Sequence, residues 1–121
     1  MQIHLKTRNY PTFAAAMMLC ACPAWAHAIL MGASPAAHQI VSGKTVPIKL
    51  RFNSRIDGKR SKLTLLGPDG KERPLIVESQ PASDTLAAKA EGLTPGSYVL
   101  RWQVLAADGH ITRGEVPFKA Q

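Results

Sequence analysis

The sequence predicts an all-β domain, an immunoglobulin-like β-sandwich of about seven strands. Residues 27–121 contain short runs in which apolar and polar residues alternate, separated by turn residues. No long run has the period of an amphipathic helix. In segment 92–98 a Pro-Gly turn precedes Tyr98, an arrangement similar to the tyrosine corner of immunoglobulin-like sandwiches. These observations together favour a sandwich over a helical fold.

The first four predicted strands follow one another closely. The first ends at the Ala-Ser-Pro sequence that includes Pro35, and the second alternates apolar residues with polar ones and with Pro47. A proline in that position indicates an edge strand or the start of a strand. A Gly-Pro-Asp-Gly turn separates the other two strands. The predicted strands are 27–32, 46–52, 62–65 and 75–77.

The last three predicted strands contain the largest apolar side chains. The strand at 85–90 is rich in alanine, which is a poor strand former. In the next strand, Trp102 is predicted to supply the largest single area of the core. A turn or loop at 106–110 leads to the last strand, 114–118, whose apolar residues Val116 and Phe118 are predicted to point inward. The apolar face of the strand before that turn consists of Tyr98, Leu100, Trp102 and Val104.

Residues 1–26 have the features of a cleaved export signal. Two basic residues precede an apolar run at 13–19, and small residues precede a predicted cleavage after Ala26. The apolar run is too short to span a bilayer. We therefore predict a signal peptide at 1–26 and one periplasmic domain at 27–121. The alternative is a lipoprotein lipidated at Cys22, in which the first residue of the domain would stay inside the chain.

Cysteine content and charge exclude several kinds of site. Both cysteines lie within the predicted signal, so the mature domain has neither a disulfide nor a zinc–thiolate site. Loss of Lys6 and Arg8 with the signal lowers the formal net charge from +7 to +5. The remaining basic residues are scattered apart from one run at 59–62, whereas nucleic acid requires a denser patch with stacking aromatics. We expect no nucleic-acid partner and only weak attraction to anionic membranes.

Cleavage after Ala26 would make His27 the first residue of the mature protein. Its α-amine and its imidazole can then reach one metal ion. Asp108 and His110 lie in the predicted turn, where Gly109 lets the backbone bend so that both side chains can face one ion. Nitrogen and oxygen donors in a tetragonal plane suit Cu(II), whereas Zn(II) prefers a tetrahedron. We predict a Cu(II) site made by His27, Asp108 and His110, which weakens as pH falls.

Each part of this site also has a structural interpretation. An Asp-Gly sequence is common in hairpin turns, and a surface histidine nearby is ordinary. His38 is interpreted as a surface histidine in a loop. Met31, the only methionine of residues 27–121, is interpreted as a core or edge residue, because a single thioether is too little for a Cu(I) site.

Several short motifs occur at both ends of the domain. They are His27-Ala28-Ile29-Leu30, Ser34-Pro35-Ala36, Leu50-x-Phe52, Leu93-x-Pro95-Gly96-x-Tyr98, Trp102, Asp108-Gly109-His110 and Gly114-Glu115-x-x-Phe118. In these motifs the chain resembles the CopC family of periplasmic copper-binding proteins, whereas residues 53–90 have no specific similarity. The resemblance implies an immunoglobulin-like Greek-key β-barrel or sandwich. It also implies a Cu(II) site of the mature amino terminus, its imidazole, Asp108 and His110, and a role in copper handling or resistance, often beside a CopD-type inner-membrane copper transporter.

Three features differ from the pattern of that family. The methionine-rich loop that some members use for Cu(I) is absent from this sequence. Asn53 and Ser54 stand where many members have a glutamate, so any supporting role of that acid is missing or taken by another residue. Ile29 stands where some members have a further histidine. None of these differences removes a donor of the predicted Cu(II) site, and we expect that site without a Cu(I) site.

The leading hypothesis is a monomeric periplasmic Cu(II) carrier or buffer in copper homeostasis or resistance, not an enzyme; the sequence alone does not decide the oligomeric state. One alternative is a histidine-brace copper oxygenase that cuts polysaccharides, because such enzymes also combine a terminal histidine with a second histidine. Asp108 would fill the fourth position and the domain is small, and both facts argue against it. The other alternative is a metal-free immunoglobulin-like interaction module.

Overall fold

The structure, a computed structural model, describes residues 27–121. The predicted signal peptide and the alternative lipidation at Cys22 fall outside the described residues. Within 27–121 the chain forms eight β-strands, and it contains no helix long and apolar enough to cross a membrane. The strands are β1 (Leu30–Ser34), β2 (Ile40–Val41), β3 (Val46–Phe52), β4 (Ile56–Leu66), β5 (Glu72–Leu75), β6 (Thr85–Ala90), β7 (Gly96–Ala106) and β8 (Ile111–Ala120).

The strands form two sheets that enclose one core. One sheet has three strands in the order β1-β3-β6, and the other has five in the order β2-β8-β7-β4-β5. β3 pairs with β6 and β4 pairs with β7, although neither pair is consecutive in the chain. These connections interlock the two sheets in the Greek-key manner of immunoglobulin-like sandwiches. The predicted fold class is therefore confirmed.

Alternation of apolar and polar residues places one face of each sheet in the core. β3 alternates strictly between buried and exposed residues. The two sheets meet where the ring of Phe52 packs edge-on against Trp102, with ring centroids 5.1 Å apart. Burial of a side chain such as Phe52 stabilises the fold by about 1.5–3 kcal/mol relative to its exposure. Val116 and Phe118 are buried in β8, as predicted.

The tyrosine corner is also confirmed. The Tyr98 hydroxyl donates to the Thr94 carbonyl at 2.9 Å and accepts a hydrogen bond from the Thr94 backbone N–H, also at 2.9 Å. The phenol thereby closes the turn that precedes β7 and fixes where that strand enters the sheet. Because β7 leads directly into the turn with Asp108, this anchor contributes to the position of the candidate site.

Several strand boundaries differ from the predicted ones. β1 begins at Leu30, not at residue 27. β5 ends at Leu75, and Ile76, which follows it, is 86% exposed. β4, β7 and β8 are longer than predicted, whereas β6 has the predicted bounds. The sequence does not predict β2, because two residues in parallel pairing with the end of β8 leave no periodic pattern.

Pro47 lies near the start of a strand, which is one of its two predicted positions. It is the second residue of β3, which is the central strand of its sheet and not an edge strand. Pairing between β1 and β3 starts only at Lys49, so a proline at position 47 leaves that ladder intact.

Candidate metal centre

The turn between β7 and β8 presents Asp108 and His110 together. The Gly109 N–H donates to the Ala106 carbonyl at 3.0 Å, and the Ala106 N–H donates to the His110 carbonyl at 2.9 Å. Gly109 has a φ of 85°, in the left-handed region that glycine adopts without a steric penalty. The Asp-Gly sequence therefore bends the backbone as predicted.

Within this turn the Asp108 carboxylate contacts His110 through both oxygens. Oδ1 accepts the His110 backbone N–H at 3.0 Å, and Oδ2 lies 2.6 Å from His110 Nδ1. The hydrogen bond with the His110 side chain, followed by that with its backbone, lowers the pKa of Asp108 below its ordinary value. The contact with Nδ1 orients the ring and leaves Nε2 as the nitrogen that can meet a metal ion.

His27 lies against the same turn. Its ring centroid is 5.0 Å from that of His110, and the two ring planes are inclined by 52°. Donor atoms of His27, Asp108 and His110 all lie within 4.8 Å of one another. The structure therefore brings together the three residues that the sequence singles out, while their role as metal ligands stays a prediction.

The spacing and chemistry of this cluster fit a small metal ion. Metal–nitrogen bonds are about 2 Å long, so two donors on one ion are at most about 4 Å apart. One ligand atom from each of the three residues lies within 4.8 Å of the other two, which is close to that spacing. The cluster is also open to solvent, since the side chain of His110 is 63% exposed and that of Asp108 is 22% exposed.

The segment that carries His27 is fixed by contacts that the sequence analysis does not predict. Ala28 is buried, with 1% exposure. Ile29 donates its N–H to Asn53 Oδ1 at 2.8 Å and accepts the Asn53 N–H at its carbonyl at 2.9 Å. Asn53 thus holds both backbone groups of a residue two positions from His27.

A second unpredicted contact joins the same loop to the turn. The Arg55 carbonyl accepts the Ala107 N–H at 3.2 Å. Residues 53–55 follow the end of β3 in an irregular stretch, where no periodic pattern indicates their partners. The only sequence signal is that Asn53 stands where the resembling family often has an acid.

His38 and Met31 lie away from the three clustered residues. His38 donates its backbone N–H to the Pro117 carbonyl at 2.7 Å, toward the opposite end of β8 from the turn, and its side chain is exposed. Met31 is 55% exposed on β1, an edge strand of the three-stranded sheet. The interpretations of His38 as a surface residue and of Met31 as an edge residue are confirmed.

Fold and cluster together define a class of protein. It is a small immunoglobulin-like β-sandwich that gathers two imidazoles and a carboxylate at the turn between its last two strands. The CopC domain matches residues 30–121. The chain belongs to the CopC family, which confirms the resemblance found in its motifs.

The chain is also similar to several named proteins. CopC from Methylosinus trichosporium OB3b, known from a crystal structure, has 32% sequence identity and a TM-score of 0.68, with 78% of this chain and 94% of that chain covered. PcoC, a methionine-rich copper resistance protein from Escherichia coli, has 25% identity and a TM-score of 0.62, with 79% of this chain and 100% of that chain covered. Protein YobA of Escherichia coli strain K12 is 31% identical over 100 residues, which is 80% of this chain and 81% of that protein.

Proposed function

We propose that this protein binds one Cu(II) ion and carries or buffers copper in copper homeostasis or resistance. The observation that carries the proposal is the cluster of His27, Asp108 and His110, whose donor atoms lie within 4.8 Å of one another. Membership of the CopC family supports copper as the metal, because PcoC, to which the chain is similar, is named a copper resistance protein.

In the proposed site, three residues supply four donors. Cleavage after Ala26 frees the His27 α-amine, so that His27 binds through its amine and its imidazole. His110 binds through Nε2, and Asp108 through a carboxylate oxygen. To reach an ion held by Nε2, the carboxylate exchanges its contact with Nδ1 on the other side of the ring for the ion, while Oδ1 can still accept the His110 backbone N–H. Three nitrogens and one oxygen suit Cu(II), and the Irving–Williams order favours Cu(II) over Zn(II) at such a site.

We propose that the site is specific for Cu(II) and that no separate Cu(I) site accompanies it. Cu(I) prefers thioether and thiolate sulfur. Met31 is the only methionine of residues 27–121, and both cysteines belong to the proposed signal peptide. PcoC, by contrast, is named methionine-rich. A mature chain with one thioether lacks the soft donors that a Cu(I) site requires.

The site is exposed and its four proposed donors all come from the protein, and both features favour binding and release of copper over catalysis. Four protein donors fill an equatorial plane and leave no equatorial position for a substrate. The pair of rings from His27 and His110 is also what a histidine brace would need. That alternative predicts oxygen-dependent cleavage of cellulose or chitin by the copper-loaded protein. We expect no such turnover, and its detection would replace the carrier by the oxygenase.

We further propose that the protein acts as a monomer in the periplasm, beside an inner-membrane copper transporter of the CopD type. The export features of residues 1–26 support the location. The CopD-type partner follows from the family resemblance alone.

Cu(II) titration of the exported protein tests the proposal. Mass spectrometry first establishes whether the chain begins at His27. Electron paramagnetic resonance of the copper-loaded protein then counts the nitrogen donors. We expect one Cu(II) per chain with three nitrogens. A chain that starts elsewhere, or a correctly processed chain that fails to bind Cu(II), would contradict the proposal, and the latter result would favour a metal-free interaction module.

A further inference from the structure

We infer that Asn53 is a positioning residue for the candidate site: its side-chain carbonyl holds the amino-terminal segment so that the His27 ring meets His110. The link to copper rests on the proposed function, whereas the positioning itself is a property of the metal-free chain. Asn53 acts through its contact with Ile29, two residues from His27.

The contact between Asn53 and Ile29 has two hydrogen bonds of different origin. The Asn53 N–H donates to the Ile29 carbonyl at 2.9 Å, and this bond would persist with other residues at position 53. The Ile29 N–H donates to Asn53 Oδ1 at 2.8 Å, and this bond depends on the side chain. Because the Ile29 N–H lies on the side of His27, the side-chain bond restrains the peptide unit that leads to His27.

Little freedom is left between this hydrogen bond and the His27 ring. Ala28 is 1% exposed and belongs to the hydrophobic core. The position of the His27 ring then depends only on the backbone and side-chain torsions of His27 itself. This ring lies 5.0 Å from that of His110. Without the side-chain bond, the peptide between Ala28 and Ile29 gains freedom, and the His27 ring spends less time beside the turn.

Asn53 is itself held in place by its neighbours. Phe52, the preceding residue, is 1% exposed and packs against Trp102. Arg55 accepts the Ala107 N–H through its carbonyl at 3.2 Å, which ties the same loop to the turn with the other two donors. Residues 52–55 therefore join the two parts of the candidate site, and Asn53 is the member whose side chain makes the connection to the amino-terminal segment.

Two substitutions separate the hydrogen bond from other properties of the side chain. Asn53→Ala removes the acceptor for the Ile29 N–H. Asn53→Asp keeps an acceptor of nearly the same shape. A matched control is Gln39→Ala, because Gln39 Oε1 also accepts a backbone N–H, that of Ala36, at 2.8 Å on the exposed surface.

The experiment uses the processed protein that begins at His27. In the metal-free protein, a nuclear Overhauser effect between the ring protons of His27 and His110 reports their proximity. Cu(II) affinity and the electron paramagnetic resonance spectrum are then measured on the same variants. A second set of measurements repeats Asn53→Ala in a His27→Ala background, where the ring is gone and only the α-amine of residue 27 remains to be positioned, so the further effect should be smaller.

We expect Asn53→Ala to lose the ring–ring signal and to weaken Cu(II) binding about tenfold, at the lower end of the effect usual for residues that orient a metal ligand. Asn53→Asp should retain the signal, Gln39→Ala should change neither quantity, and the effect of Asn53→Ala on copper should be smaller in the His27→Ala background than in wild type. Unchanged signal and affinity in Asn53→Ala would overturn the inference. A wild-type chain that shows the ring–ring signal, loses it in Asn53→Ala and binds no Cu(II) would instead overturn the proposed function and support the positioning role.

Discussion

Residues 27–121 contain two turns with an Asp-Gly sequence and nearly the same hydrogen bonds, and only one of these turns meets a histidine from elsewhere in the described chain. Turn 67–71 joins β4 to β5, and turn 106–110 joins β7 to β8. In each, the glycine N–H donates back to the first residue of the turn, at 3.1 Å and 3.0 Å, and that first residue donates to the last, at 3.0 Å and 2.9 Å. In each, the aspartate Oδ1 accepts the N–H two residues later at 3.0 Å.

The two turns differ in what surrounds this shared backbone. Turn 67–71 ends in Lys71, whereas turn 106–110 ends in His110, which faces His27. The aspartate and the left-handed glycine are therefore part of a common way to close a hairpin. The candidate metal site forms only at the turn whose last residue is a histidine. The segment with His27, which leads into a strand of the other sheet, lies beside that turn.

Extension of the chain by one residue before His27 should have the largest effect on copper. The added residue converts the α-amine into a peptide bond and so removes a nitrogen donor from the proposed site. We expect Cu(II) affinity to fall by more than the roughly 10–100-fold that loss of a supporting residue costs. Isothermal titration of the extended and native chains measures the difference.

His38→Ala is the control for that extension. His38 lies toward the opposite end of β8 from the turn, so its removal should leave Cu(II) affinity unchanged. Equal affinities for the extended and native chains would show that the α-amine is not a donor.

Asp108→Ala should have the next largest effect. It removes the proposed oxygen donor and also the partner that orients His110 through Nδ1. We expect weaker Cu(II) binding by roughly 10–100-fold or more and a changed electron paramagnetic resonance spectrum. The fold should persist, because Asp108 lies in a surface turn and is not among the buried residues of the hydrophobic core.

The corresponding variant of the other turn is Asp69→Ala. It removes the same kind of hydrogen bond, from the Lys71 N–H to the aspartate Oδ1. We expect a similar small change in thermal stability for both variants but a loss of copper only for Asp108→Ala. Equal copper binding by the two variants would mean that Asp108 serves the turn and not the metal.

Gly109→Ala should have a smaller effect, which again can be compared between the turns. Gly109 and Gly70 have φ values of 85° and 77°, and an added Cβ would meet no atom within 4 Å at either position. Each alanine variant should therefore lose only the roughly 1–2 kcal/mol that a left-handed backbone costs a residue with a Cβ. Denaturant unfolding should give similar losses, with weaker Cu(II) binding in Gly109→Ala alone. Unequal losses of stability would contradict the view that the turns are equivalent.

Both turns could be predicted from the sequence because their geometry is local. Asp-Gly and Gly-Pro-Asp-Gly specify a bend within a few residues, and the same is true of the tyrosine corner around Tyr98. The alternation in β3 and β7 likewise gives the core directly. Features that depend on distant partners could not be found this way. The two-residue β2 exists only through its pairing with the end of β8.

The candidate site combines both kinds of feature. The chemistry of the donors and the family resemblance suffice to propose that His27 joins Asp108 and His110. The contact that directs the amino-terminal segment, from Ile29 to Asn53, joins residues 24 positions apart and follows no sequence period. This contact forms only in the folded chain, where pairing of β1 with β3 brings Ile29 beside Asn53.

Asp108→Asn should show the smallest effect, a pH-dependent difference in the stability of the metal-free protein. Asparagine can still accept the His110 backbone N–H, so the substitution removes the charge and keeps that bond. The pKa of Asp108 is lowered from its ordinary value of 3.8, chiefly by the hydrogen bond with the His110 side chain. A carboxyl with a lowered folded-state pKa stabilises the protein above its unfolded-state pKa and loses this contribution as pH falls through the folded-state value.

Wild type should therefore be slightly more stable than Asp108→Asn at neutral pH, and the difference should disappear as pH falls below 3.8 toward the folded-state pKa of Asp108. The difference is small because the turn is exposed and solvent screens its charges. Denaturant unfolding of both proteins between neutral and acidic pH measures it. A difference in stability between the two proteins that grows on acidification would contradict the lowered pKa of Asp108.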